Sequence, residues 1–184
     1  MFTMDDFVEE DNPILRKVAE EVLLPASEED KKVLADLMEY VQNSQDTEIA
    51  LKYGLRAGIG LAAPQVNISK RMIAVHLKNE KGELISYALF NPKLVSHSIE
   101  RSYLTAGEGC LSVNRPISGY VPRYARIKVS GTNIEGEDVQ LRLKGLASIC
   151  FQHEIDHLNG IMFYDHINHD DPFNVPETYI PIER

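Results

Sequence analysis

The chain has 184 residues, 43% hydrophobic and 26% charged, which suits a core of ordinary size and excludes collagen-like, disordered and disulfide-scaffold chains. Lys plus Arg total 19 against 28 Asp plus Glu, a net charge of −9, and along the linear sequence the cations do not cluster. Direct nucleic-acid binding and anionic-membrane binding are therefore not expected.

The first elements are helical. Asn12-Pro13 reads as an N-cap and first helical position, opening a short helix through Ile14, Leu15 and Val18. Ser27 precedes Glu28, Glu29 and Asp30, acids suited to a helix start. Leu34, Leu37, Met38 and Val41 then recur at helical spacing. Residues 43–57 lose this pattern and are predicted to form a polar loop or surface insertion. Gly58-Ile-Gly-Leu-Ala-Ala-Pro-Gln65 fits neither helix nor strand, and its glycines suggest backbone brought against something else.

Strands follow. Runs 71–77, 84–90 and 93–103 read as strands, the first two joined by a turn at 79–82, and runs 124–131 and 138–143 form a hairpin across Glu135-Gly136. From Gly145 to Asn159 the period is helical again, with Leu146, Ile149, Cys150, His153 and His157 on one face and Gly160 as the stop. The tail, 166–184, carries three prolines and many acids, and is expected to be a solvated surface without a long helix. Helix, strands and helix without βαβ alternation predict a single α+β domain, 1–184, with antiparallel sheets packed around the helix 146–158.

That helix carries H-E-x-x-H: His153, Glu154 and His157. Residues four apart share a helix face, so two imidazoles can grip one ion, while Glu154 is rotated to face water. Two histidines on an otherwise apolar face need a polar or metallic partner. Three third ligands compete. The longer metalloprotease signature would put a histidine where Phe163 stands, and fails. Glu177 lies downstream, in the acidic tail. Cys110, flanked by Gly107-Glu-Gly109, offers a soft thiolate on a backbone able to approach closely. A zinc endopeptidase using Glu177 or another carboxylate and a non-enzymatic Cys/His metal-binding module are among the functions that these sets would support.

Three motifs in order, 58–65, Glu108-Gly-Cys-Leu-Ser112 and Gln152-His-Glu-Ile-Asp-His-Leu-Asn-Gly160, resemble the signatures of the peptide deformylases. The resemblance spans residues 12–165. The 43–57 segment and the tail resemble the longer, second subclass common in Gram-positive bacteria, and the tail lacks the pattern of the C-terminal helix that some deformylases use at the ribosome.

The resemblance implies an enzyme that removes the formyl group from the initiator methionine of new polypeptides. Cys110, His153 and His157 would hold one divalent metal, Fe(II) in the family, with nickel, cobalt or zinc substituting. Glu154 would be the general base, and Gln65 with the backbone N–H of Leu111 would stabilise the oxyanion. Ile59, Gly60, Leu146 and Ile149 would bind substrate. Glu108 and Arg123 would form a buried ion pair. Cys150 would be packing, and His76, His97, His166 and His169 would have surface or packing roles. N-formylmethionyl chains would be the partners, with transient ribosome proximity. With two cysteines, an acidic N-terminus unlike a signal peptide and no span of about 20 apolar residues, the expected setting is a reducing cytoplasm and a monomer.

Overall fold

The computed structural model describes residues 1–184. The long amphipathic run forms α1 (Glu28–Gln45), with Ser27 Oγ accepting from the Asp30 N–H at 3.1 Å and three acids in the first turn. Leu34, Leu37, Tyr40 and Val41 are buried along one face. The helix does not dissolve after Asn43. It runs to Gln45, and Asp46 then caps α2 (Thr47–Tyr53) by accepting from the N–H groups of Glu48 and Ile49, each at 3.0 Å. The predicted loop at 43–57 is thus largely helical. Hydrophobic periodicity missed it because α2 buries no residue. Its only sequence signature is its ends, Asp46 as N-cap and Gly54 at φ +63° as C-terminal stop. At the N-terminus the expected short helix is a single 3-10 turn, Pro13–Arg16, and Val18 is exposed.

Five strands make an antiparallel sheet in the order β1-β2-β3-β6-β7: β1 (Gly60–Ala62), β2 (Met72–Lys78), β3 (Leu84–His97), β6 (Arg126–Thr132) and β7 (Asp138–Lys144). The two runs separated by Asn91-Pro92 are one strand, and the register slips across that dipeptide. Proline lacks the ladder N–H, so a bulge is where a strand tolerates it. Asn91, at φ +48°, returns its side chain to Val22, accepting from its N–H at 2.8 Å and donating to its carbonyl at 3.0 Å. The second run ends at His97 instead of Tyr103. After a turn, β4 (Arg101–Leu104) enters a separate sheet, β5-β4-β8, with β5 (Arg123–Tyr124) antiparallel and β8 (Ile180–Ile182) parallel to it. Part of the tail therefore pairs with the body of the fold instead of lying free.

The C-terminal helix α3 (Gly145–Leu158) lies against strands of both sheets. Glu80, from the β2–β3 turn, accepts from the Leu146 N–H at 2.6 Å and supplies negative charge at the helix start. Twelve of its fourteen residues are buried, so it is enclosed all round instead of presenting one apolar stripe. Ile73, Val75 and Leu77 of β2 pack with α3, whereas Met72 and Ala74 pack with α1 on the other face. A strand covered on both sides reads as a continuous apolar run, as Met72–Val75 does.

Pairing of β6 with β7 sets Arg126 opposite Lys144 and Lys128 opposite Arg142. Cations dispersed along the chain thus meet on one face, contrary to the expectation from linear order.

Truncating Leu37, fully buried in α1, to Ala is expected to cost about 2–5 kcal/mol. Leu51→Ala, on the exposed face of α2, should stay within about 0.5 kcal/mol of the parent. Urea unfolding of both variants checks this, and equal losses would contradict the assigned packing.

Candidate metal centre

His153 and His157 occupy successive turns of α3, with ring centroids 5.0 Å apart. Cys110 reaches them from the loop after β4, where Gly107 turns the chain at φ +75°. Its Sγ stands 3.3 Å from His157 Nε2, and one ligand atom from each of the three residues lies within 4.8 Å of the others. Metal–sulfur and metal–nitrogen bonds of about 2.0–2.3 Å in a tetrahedron put ligand atoms roughly 3.5 Å apart. The spacing fits one ion. A cysteine and two imidazoles leave the fourth tetrahedral corner to a non-protein ligand, the arrangement of a catalytic rather than a structural centre. Glu177 is exposed in the tail and is not one of these ligating groups.

Each member is held from behind. His153 Nδ1 lies 2.8 Å from Glu108 Oε1, leaving Nε2 for the metal side. Glu108 is clamped by Arg123, with Nε to Oε2 at 2.9 Å and Nη2 to Oε1 at 2.8 Å. Both side chains are 3% exposed. Arg123 Nη1 also donates to Asp156 Oδ2 at 2.6 Å, and His166 Nε2 meets the same oxygen at 2.8 Å. His166, expected to have a surface or packing role, thus ends a chain of side-chain contacts running back through Asp156, Arg123 and Glu108 to His153. His76 bonds Ser86, and His97 stacks on Tyr124.

Burial alone would raise the Glu108 carboxyl, but the Arg123 guanidinium and the His153 and Arg123 hydrogen bonds outweigh it and hold it at about 2. At Glu154 burial outweighs the opposing charges of His153 and Arg123 and pushes its carboxyl up to about 7, with Glu108 adding to the rise. A carboxyl poised near neutrality suits proton transfer in either direction. Glu154 Oε2 and His157 Nδ1 are buried without a protein partner. An orphaned carboxylate oxygen beside three atoms able to ligate a metal points to a ligand or water that completes the site.

The glycine-rich segment closes the other side. At Gly60 in β1, a Cβ would stand 2.6 Å from Glu154 Oε1 and 2.9 Å from Cys150 Sγ, so only glycine lets β1 lie this close to α3. The 3-10 turn Ala63–Val66 delivers Gln65. Its Oε1 accepts from the Ala62 N–H at 2.9 Å, which orients the amide and aims Nε2 at Cys110 Sγ, 3.4 Å away. A cleft of about 190 Å³ results, and Ile59, Gly60, Gln65, Leu111, Leu146, Ile149 and Glu154 all line it.

Cys150 lines the cleft too but stands outside the ligand set. Burial, the largest influence on it, pushes its thiol well up. Arg56 escaped sequence reasoning, although it precedes the first glycine motif by only two residues. Its guanidinium donates to the carbonyl of Leu111 at 3.2 Å and to Asn114 Oδ1 at 2.8 Å, bracing the loop that carries Cys110. Asp156 was visible only as a spacer inside H-E-x-x-H, and Arg184, beside the cleft, had no local signal at all.

Residues 4–173 match the family described as polypeptide deformylase. The chain is 67% identical to peptide deformylase 2 of Geobacillus stearothermophilus and 62% identical to that of Bacillus subtilis, each over 184 residues and the whole of both chains. Among solved structures it resembles a class I type b peptide deformylase from Acinetobacter baumannii with Met-Ala-Ser bound. That likeness has a TM-score of 0.69 at 33% identity, and covers 88% of this chain and 96% of that one. The peptide deformylase of Thermotoga maritima gives 0.68 at 34% identity, over 88% and 96%.

Removing charge from the buried pair tests the electrostatics. A carboxyl held at about 2 contributes stability that is fully present above its unfolded value of 4.5 and is lost as pH falls toward 2. Glu108→Gln should destabilise the metal-free protein by about 3–5 kcal/mol at pH 7, with the gap to the parent narrowing between pH 4.5 and 2. A gap constant over that window in urea titrations would show that Glu108 is not ionised in the fold.

Proposed function

The chain belongs to the peptide deformylase family, and from that premise we propose that this cleft removes the formyl group from the amino-terminal methionine of new polypeptides, using the residues assigned below. The protein is a metal-dependent hydrolase of that family. The convergence of Cys110, His153 and His157 beside the buried Glu154 and Gln65 carries the reading.

Cys110, His153 and His157 would hold the metal, Fe(II) by family resemblance, with nickel, cobalt or zinc able to replace it. A divalent ion held there would supply Lewis acidity, polarising the formyl carbonyl and lowering the pKa of water toward neutrality. Glu154 takes that proton as water adds to the formyl carbon. It then delivers a proton to the departing nitrogen as the C–N bond breaks, leaving formate and a free amino terminus. The Gln65 amide and the Leu111 N–H donate to the oxygen as it gains charge, contributions of about 3–4 kcal/mol each to the barrier. Because the Gln65 Oε1 is tied to the Ala62 N–H, its donor does not have to reorient during the reaction.

Ile59, Leu146 and Ile149 form the apolar wall against the unbranched methionine side chain. Met-Ala-Ser, bound in the Acinetobacter enzyme, begins with that residue. The substrate is the formylated end of a chain still at or near the ribosome, met in the cytoplasm by a monomeric enzyme. No helix is long and apolar enough to cross a membrane.

Chelation should abolish formate release from formyl-Met-Ala, Fe(II) or Ni(II) should restore it, and casein should remain intact throughout. Glu154→Gln should retain the metal and lose at least about 10²-fold in kcat, and an unaltered rate would remove Glu154 as the base. Gly60→Ala, which forces a Cβ against the Glu154 carboxylate, should lose about 10²-fold in kcat with metal content unchanged. Parent-like kinetics of this variant would show that the close approach of β1 is not used.

A further inference from the structure

The cations of β6 and β7 form a second site, separate from the cleft. Arg126, Lys128, Arg142 and Lys144 all point away from the core, because the alternate residues Ile127, Val129, Leu141 and Leu143 are buried in it. With Ser96 and His97 of β3 they line an open groove of about 590 Å³ into which no carboxylate projects, in a chain of net charge −9. Arg126 alone of the four is paired, with Glu100 at 2.5 Å, both side chains more than half exposed. Lys128, Arg142 and Lys144 make no ion pair.

The register makes this arrangement unfavourable for the fold taken alone. Arg126 faces Lys144 and Lys128 faces Arg142 directly across the ladder, and like charges in that position repel. The chain has nine more acids than bases, yet no acid lines the groove and only Arg126 is paired. An external anion relieves the repulsion. Four cations on a pleated surface, repeating every second residue, match a ligand with several negative charges in a row better than a single phosphate.

We propose that this β6–β7 face binds the phosphate backbone of RNA. The four cations neutralise successive phosphates, and the Ser96 hydroxyl, opposite Lys128, adds a neutral donor. Choosing RNA among polyanions rests on the proposed function, since a formylated chain is presented where RNA is the abundant polyanion. The groove shares no lining residue with the catalytic cleft, so binding and turnover are separable.

The test is fluorescence anisotropy of the metal-loaded full-length protein with a labelled oligouridylate of about 20 nucleotides in about 50 mM salt. The parent is expected to bind with a log–log salt slope near −3, from about 0.7 for each of four phosphates. K128E/R142E should weaken binding at least tenfold and flatten the slope, with kcat/KM on formyl-Met-Ala unchanged. K17E/K52E alters net charge equally at exposed sites elsewhere and should bind as the parent does. R142E alone makes an opposite-charge pair with Lys128, and should weaken RNA binding while raising Tm.

No binding by the parent, equal weakening by both double variants, or a fall in Tm for R142E would overturn the proposal. So would patch-dependent binding to phosphatidylserine vesicles without binding to the oligonucleotide. Loss of deformylation with RNA binding intact would instead count against the proposed function alone.

Discussion

Enclosing His153, Glu154 and His157 on a helix buried on all sides is costly unless each polar atom finds a partner, and much of the fold answers that requirement. Glu108 takes up the Nδ1 of one histidine, and Arg123 neutralises Glu108 and Asp156 together. The pairing fastens a loop, a short strand and the helix that carries His153 at one point. Isolated, a buried ion pair often contributes little net stability, but removal of one member leaves the other charged and unsolvated. Its value here is positional: it fixes the face of His153 and holds the neighbouring Cys110 at the mouth of the cleft.

The same enclosure gives the two carboxyl groups of the site opposite behaviour. Glu108 has a guanidinium and an imidazole against it and stays ionised far into acid. Glu154 is buried without an ion-pair partner, and burial outweighs the more distant charges of His153 and Arg123 and pushes it up to about 7. One environment produces a permanent charge that orients a ligand, and the other a group that can exchange a proton at neutral pH. Glycine at position 60 is part of the same design, since a side chain there would displace the Glu154 carboxylate.

Charge outside the cleft follows a different logic. Most acids of the chain are scattered over the surface, whereas the β6–β7 pairing assembles cations that repel one another. Such an arrangement lowers the stability of the free protein and stores affinity for an anion. It leaves the cleft itself untouched.

Local patterns were legible wherever the physics is local. The caps and apolar stripe of α1, the 135–136 hairpin and the H-E-x-x-H spacing each depend on residues a few positions apart, and each stands in the structure. Three motifs in order sufficed to indicate the family. Helix α2 escaped because none of its residues is fully buried, so no apolar period is imposed on it, and β3 looked like two strands because a proline bulge interrupts its ladder without ending it. The loop-bracing Arg56, the Asp156–His166 link and the cationic face required the tertiary structure. Their partners lie up to 58 residues away, and contact across such separations is decided by strand register and helix placement, about which spacing along the chain carries no information.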